Sequence, residues 1–410
     1  MNEQRRESPY PMVSVEEATR IITAHCVPVG TQEEALLTAS GLVLAQDVFS
    51  AENIPDIPKS LVDGYAVRAA DGMAVRRVVA ELTAGTANDS AVDPGTAIRI
   101  MTGAPIPPGA DAVIMIEQTH EQAGIVSLQR DLQPGDNLRQ PGDDVAQQEL
   151  VLAQGTVLGA AEIGLLSSIG HTRVQVYRRP RVAVLSTGNE ISEPDVPRAP
   201  GMVRDSNRYA LLTAVREAGC EAISMGIARD DVAVQRAAIE RCLEVADVVI
   251  TSGGVSMGSR DLIKPILTAL GTIHFGRTAS KPGKPVTFAT IADKLVFGMP
   301  GFPVSSLVSF EVYVRPALRR LQGDKQPERP RVRVRLADPI RPPRDRVEYQ
   351  RAVVRWQDGR LVASSTGIQF STRLLSMRGA NALLIVPVGD EVYPPGTELE
   401  ALLTGPLVQT

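Results

Sequence analysis

Hydrophobic positions along this chain change rhythm several times, and each rhythm predicts a different kind of element. Near the start, Ser14 precedes Val15, Ala18, Ile21 and Ile22, which places the apolar side chains on one face of a serine-capped helix. A second helix is expected over Gln32 to Ala39. From about Ala51 to Asp144 the text becomes short apolar runs cut by turns such as Asp93-Pro94-Gly95 and Gln133-Pro134-Gly135-Asp136, the pattern of a small β-rich module. Helical spacing returns at Ala160 to Ile169, so the β module reads as an insertion into a helical or mixed unit.

Arg181 to Leu321 alternates between strand and helix. Val182 to Leu185 is a short apolar strand that runs into Ser186-Thr187-Gly188. Asp205 or Ser206 is placed to cap a helix carrying Leu211, Leu212, Val215 and Ala218, with Gly219 as its stop. Asp230 or Asp231 is placed to cap the next, whose Ile239, Cys242, Leu243 and Ala246 share a face. Val248 to Ile250 then enters Thr251-Ser252-Gly253-Gly254. Such alternation predicts βαβ units and a largely parallel sheet, in which ligands bind beyond the carboxyl ends of the strands. After Pro330, Val332, Val334 and Leu336 alternate with arginines, and Leu383 to Val386 and Leu399 to Leu403 read as strands of a small closed or curved β domain.

Composition narrows the possibilities without choosing among them. A length of 410 residues suits several domains, and Gly (34) and Pro (30) gather at joints such as Pro141-Gly142, Arg179-Pro180 and Gln322 to Pro330. Lys and Arg (43) nearly balance Asp and Glu (47), leaving −4, so a general nucleic-acid binder is not expected. An anionic ligand must therefore be held by local geometry. Cys26, Cys220 and Cys242 are widely spaced and form neither a disulfide framework nor a zinc signature. The first residues are polar, and no apolar run reaches the roughly 20 residues of a membrane span, so a cytoplasmic location away from membranes is expected.

The candidate chemistry lies in the loops of the α/β segment. In Thr251 to Ser256, glycines allow backbone N–H groups to converge on an anion, and hydroxyls add donors. No Gly-Lys-Ser/Thr follows, so the loop is not a Walker A sequence. Ser186 to Glu190, Asp230, Asp261, Lys281-Pro282-Gly283-Lys284-Pro285 and Pro300-Gly301-Phe302-Pro303 are further polar loops of the same half. Each carboxylate has an ordinary reading alone, as a cap or a surface charge. Together, carboxylates and lysines beside N–H-rich loops suit a phosphate-bearing ligand partly neutralised by a hard cation such as Mg²⁺. In the β module, Asp63-Gly64 before an apolar strand reads as a turn, and Asn137 to Asp144 reads as a charged connector.

These segments, in order, resemble the molybdopterin molybdenumtransferases of the MoeA type, including the C-terminal part of gephyrin. The matching pieces are VDGYAV (Val62 to Val67), RIMTGAPIPPGADAV (Arg99 to Val113), STGNE (Ser186 to Glu190), RDD (Arg229 to Asp231), TSGGVSMG (Thr251 to Gly258), KPGKP (Lys281 to Pro285) and STGIQFSTRLLSM (Ser365 to Met377). The resemblance implies a discontinuous helical or mixed domain (residues 10–50 with 146–179) around an inserted β-rich module (51–145). A three-layer α/β molybdopterin-binding-like domain (180–324) and a β-barrel-like C-terminal domain (328–410) follow. It further implies a homodimer with a shared active site, and a reaction that uses adenylylated molybdopterin, molybdate and Mg²⁺ or another divalent cation and releases AMP. A molybdopterin adenylyltransferase would act upstream, and molybdoenzymes are further candidate partners.

Carried over residue by residue, Asp63, Thr102, Glu190, Asp230 and Asp261 are the implied catalytic positions, with Glu190, Asp230 and Asp261 as cation ligands. Ser186, Thr187, Gly188, Ser252, Gly253, Gly254, Ser256, Lys281, Lys284, Pro300, Pro303, Arg139, Asp144 and Ser371 are the implied binding positions. Three departures stand out. Phe302 replaces the Asn usual between the glycine and proline of that loop, which removes a hydrogen-bonding amide. Arg277 stands where Lys is common, and Asp143 where Glu is. Two alternatives remain at this stage: adenylyl transfer by the α/β domain alone, and a non-catalytic scaffold of the same fold.

Overall fold

The structure is a computed structural model that describes residues 10–85, 90–255 and 262–409. Its centre is a six-stranded sheet in the spatial order Glu221–Ala228, Arg181–Thr187, Val248–Ser252, Lys294–Met299, Thr287–Ile291, Thr272–Phe275. The first four strands are parallel, and the last two join antiparallel. Alternation along the strands builds three layers. Val182 and Val184 enter one core with Leu211, Val215, Val304 and Leu318, while Ala183 and Leu185 enter another with Ile239, Cys242, Ile263 and Leu267. A sheet covered on both faces must be apolar on both, which is why its strands read as continuous apolar runs.

Both helix starts follow the aspartates. The Asp205 carboxylate accepts the Arg208 N–H (3.0 Å) before helix Asn207–Glu217, whereas Ser206 makes no capping bond. Asp231 accepts the Val234 N–H (2.9 Å) before helix Val232–Val245, which leaves Asp230 free of that task. Ser14 caps Val15–Ala24 by accepting from the Glu17 N–H, as its position predicts. The buried Val15, Ala18 and Ile22 of that helix pack into the core of the α/β sheet.

The helix expected over Gln32 to Ala39 is mostly a strand. Thr31–Ala35 pairs antiparallel with Arg173–Tyr177, and only Leu36–Ala39 is helical. Residues 31 to 33 are exposed and carry no buried stripe, so a partner strand 140 residues away decides their conformation. The expected helix at Ala160 to Ile169 is present as Ala160–Ser168. Leu42, Leu44 and Val48 share a core with Val145, Leu158, Leu166 and Val174, so the segments on either side of the β module meet.

The β module is a six-stranded sheet in the order Ala112–Met115, Gly64–Val67, Thr96–Ile100, Arg76–Leu82, Ile125–Leu128, Thr119–Gln122. Asp63-Gly64 is not a turn: Gly64 opens a strand, and a Cβ there would lie 1.8 Å from the Ile114 carbonyl oxygen. In the C-terminal domain, Val347–Gln357 pairs with Arg360–Ser365 on one side and Ala382–Val386 on the other. Arg331–Leu336 and Glu398–Leu403 complete the ring, a closed five-stranded barrel filled by Val334, Leu336, Val354, Ala363, Leu384 and Ala401. Closure removes the exposed strand edges that an open sheet of this size would carry. Ser280–Lys281 pairs with Val347 and Glu348 and ties the barrel to the α/β unit. Among the described residues no helix is long and apolar enough to cross a membrane.

One ion pair anchors the entry to the central sheet. Arg178 Nη1 and Nη2 donate to the two carboxylate oxygens of Asp247 at 2.8 and 2.7 Å, and the Arg181 N–H donates to the same group at 2.7 Å. Burial opposes ionisation of Asp247, but these bonds outweigh it and hold the carboxyl below its ordinary range. Asp247→Ala should cost about 2 kcal/mol in urea unfolding. The stabilisation is complete at neutral pH, because the folded carboxyl is the stronger acid, and it should fade as pH falls below about 4.

Candidate functional site

The order of strands places a switch point at the carboxyl ends of Arg181–Thr187 and Val248–Ser252. The helix after the first leads outward to Glu221–Ala228, and the next connection crosses back to Val248–Ser252 on the other side. Loops leaving the two strands therefore diverge and open a crevice. A cavity of about 460 Å³ lies there, lined by Ser186, Thr187 and Glu190 from the first loop and Ser252 and Gly253 from the second. Gly301, Phe302 and Pro303 form another wall, and Thr372 and Leu374 come from the C-terminal domain.

Close packing shapes the floor. Gly253 has φ +94°, and a Cβ there would lie 2.7 Å from the Thr187 carbonyl oxygen, so the two loops touch at a place only glycine fits. Its N–H donates to the Met299 carbonyl (3.1 Å), which corrects the simple picture of every glycine amide facing an anion. Ser186 is buried and lines the cavity, and its hydroxyl has no hydrogen-bond partner among the described residues. A buried unsatisfied hydroxyl at a cavity wall is a vacant polar contact for a ligand.

Asn207 and Arg204 belong to this site and were not singled out from the sequence. Asn207 Nδ2 donates to Ser252 Oγ and to the Gly301 carbonyl, both at 2.8 Å, and so joins two loops that share the cavity. Among the described residues, Arg204 supplies a cation to the lining. The signal was present in the run Arg204-Asp205-Ser206-Asn207, which capping alone had explained. Beneath it, the nearly buried Arg208 pairs with Asp205 at 3.0 Å and with Glu193 at 2.5 Å, which braces the start of the helix.

The other expected residues divide into groups. The Glu190 carboxylate folds back toward Gly188, where an added Cβ would lie 2.6 Å from Oε2. Asp230 is tied to the same turn: Asn189 N–H donates to its Oδ2 at 3.3 Å, and its own N–H donates to Asn189 Oδ1 at 3.0 Å. Gly254 packs against Thr187. Pro300 is buried, and the Ser371 carbonyl accepts the Val304 N–H at 3.1 Å, which brings the barrel loop to the start of helix Pro303–Ser309. Ser256 and Asp261 lie outside the described residues.

Elsewhere, Lys281 pairs with Glu348 at 3.0 Å, and Lys284 is exposed; neither lines the cavity. Asp63, Thr102, Arg139 and Asp144 also lie outside that lining, and Asp230 stands behind it, tied to the loop that carries Glu190. Thr102 donates to Asp63 Oδ1 from its N–H (2.6 Å) and its hydroxyl (2.8 Å), and these bonds hold the exposed carboxyl below its ordinary range. Arg139 and Asp144 form an ion pair on the connector. Among the described residues no group of three or more His, Cys, Asp or Glu gathers closely enough to hold a metal. Mg²⁺ asks for less from a protein, one or two carboxylates with phosphate oxygens and water completing its shell. Glu190 and Asp230 sit on two neighbouring loops joined through Asn189.

Comparison with known proteins gives this architecture its place. Residues 183–320 match the family described as a probable molybdopterin binding domain, so the central unit is of that class. Residues 13–170 match the MoeA N-terminal region (domain I and II), and residues 333–404 the MoeA C-terminal region (domain IV). The chain is 35% identical to molybdopterin molybdenumtransferase 2 of Mycobacterium tuberculosis, covering 95% of this chain and 99% of that one. It is 37% identical to gephyrin of Dictyostelium discoideum over 98% of its own length, and spans 64% of that protein. The crystal structure of the molybdopterin biosynthesis MoeA protein from Pyrococcus horikosii superposes with a TM-score of 0.82 at 32% identity, covering 97% and 100% of the two chains. The chain belongs to the MoeA family of molybdopterin molybdenumtransferases, enzymes of molybdenum cofactor biosynthesis.

Asn207→Ala removes both bonds between the loops while leaving the cores intact. It should speed amide hydrogen exchange at Gly253 and Gly301 with a global stability loss of only about 1 kcal/mol. Unchanged exchange at both glycines would show that the loops are held by other contacts.

Proposed function

We propose that this chain transfers molybdenum from molybdate to adenylylated molybdopterin and releases AMP, in the cytoplasm, as a homodimer. The observation that carries the reading is the cavity at the switch point, with its unsatisfied Ser186 hydroxyl, Arg204 and paired glycine loops, in a chain of this family. Water cleaves the phosphoanhydride to AMP and the terminal phosphate of molybdopterin. The two dithiolene sulfurs then bind molybdenum, and their protons leave with one molybdate oxygen as water. Ser186, Ser252 and Thr187 would bind phosphate oxygens, and Arg204 would offset their charge.

A Mg²⁺ held by Glu190 and Asp230 would neutralise charge at the phosphoanhydride; Asp261 is the further ligand implied by the motif. The Asp63–Thr102 pair supports the dimer. It is a preformed, ionised and exposed acceptor, yet it lines no part of the cavity in its own chain, so we assign it to the cavity of a second copy. A molybdopterin adenylyltransferase would supply the substrate, and molybdoenzymes would receive the product.

The purified chain, given adenylylated molybdopterin, molybdate and Mg²⁺, should release AMP in amounts equal to the molybdenum cofactor formed. No AMP release under those conditions would overturn the reading. Phe302 favours a second reading, a partner-binding scaffold, because it stands 57% exposed at the cavity wall beside Leu374. Phe302→Asn tests what this side chain does to catalysis. If the native phenylalanine has blunted catalysis, AMP release should rise about tenfold or more in the variant, roughly 1.4 kcal/mol of barrier. An unchanged rate would mean that the wall needs no amide.

A further inference from the structure

Gln235 occupies a place where an apolar side chain would be expected. Helix Val232–Val245 buries Gln235, Ala238, Ile239 and Cys242, a stripe at i, i+3, i+4 and i+7 that packs on the central sheet. Gln235 is the polar member of that stripe and is 0% exposed. Its Nε2 donates to Asp230 Oδ1 at 3.2 Å, and its Oε1 has no hydrogen-bond partner among the described residues. The orientation of the amide is dictated by Asp230, since turning it over would set oxygen against the carboxylate. A buried acceptor left unmatched costs stability that methionine or leucine at the same position would not. The amide thus has a use that outweighs packing, and among the described residues its side-chain partner is Asp230.

Both oxygens of Asp230 are therefore pinned. Gln235 holds Oδ1 from the helix, and the Asn189 N–H holds Oδ2 from the loop that carries Glu190. Each oxygen retains a further lone pair for a ligand. We infer that Gln235 is a positioning residue that orients the Asp230 carboxylate for a divalent cation shared with Glu190. The inference rests on the cation site proposed above and concerns the residue behind it. Amides and carboxyls that hold a ligand from behind tune affinity without touching the ion, and their loss typically weakens binding about 10- to 100-fold.

The test uses the full-length protein and Mn²⁺ as a paramagnetic probe, with AMP present, and follows free Mn²⁺ by electron paramagnetic resonance. Gln235→Met and Gln235→Leu keep the volume and remove the donor. Both should melt at the wild-type temperature or above, because the unmatched oxygen is gone, while binding Mn²⁺ about 10- to 100-fold more weakly. A residue that served the core alone would give the reverse, a lower melting temperature and unchanged affinity, and that result would overturn the inference. Failure of both variants to fold would overturn it as well, by making the amide structural. If the wild-type chain binds no Mn²⁺, the proposed cation site itself fails, a result distinct from equal binding by wild type and variants.

Discussion

Covering both faces of the central sheet leaves only its strand ends open to a ligand. Val182 and Val184 are committed to one core and Ala183 and Leu185 to the other, so no side chain in the middle of that strand is available for chemistry. Polar groups appear where the strand ends, at Ser186 and Thr187, and again at Ser252 after the neighbouring strand. Because successive connections leave these two strands in opposite directions, their loops separate, and the cavity occupies the gap. The site is thus a consequence of how the sheet is buried and how its strands are ordered.

A gap between loops needs ties to keep its shape, and these ties are side-chain amides. Asn207 joins the glycine loop to the Gly301 loop, Asn189 joins the Glu190 turn to Asp230, and Gln235 reaches Asp230 from the helix behind. Each offers both donor and acceptor on a short arm without adding charge, so the loops are tied together while the charge of the cavity is left to Glu190 and Arg204. The barrel contributes differently. Its loop meets the start of helix Pro303–Ser309 through the Ser371 carbonyl and closes one side of the cavity with Thr372 and Leu374.

Much of this architecture is legible in the sequence alone. The α/β alternation, the places where the two helices are capped and the alternating strands of the barrel follow from patterns only a few residues long, and those patterns hold whatever lies elsewhere in the chain. What misled was local reading of segments whose partners are distant. Residues 31 to 35 looked helical because their strand partner is Arg173–Tyr177, and Asp63-Gly64 looked like a turn because Ile114, which presses on Gly64, comes 50 residues later. Asn207 and Gln235 were passed over for a related reason. One sits at the start of a helix and the other in a helical stripe, and neither position reveals what a side-chain amide touches across the fold.

By itself, then, the sequence determined the types of its elements, the class of its central domain and the loops able to carry chemistry, since periodicity, caps and glycine turns act over a few residues. Its motifs also placed the chain in its family. The tertiary structure decided which of those loops share a cavity, that Arg204 and not the lysine turn supplies a cation to its lining, and that the Asp63–Thr102 pair stands apart from it. Those facts depend on the order of strands in a sheet and on contacts between residues far apart in the chain. No local pattern encodes them.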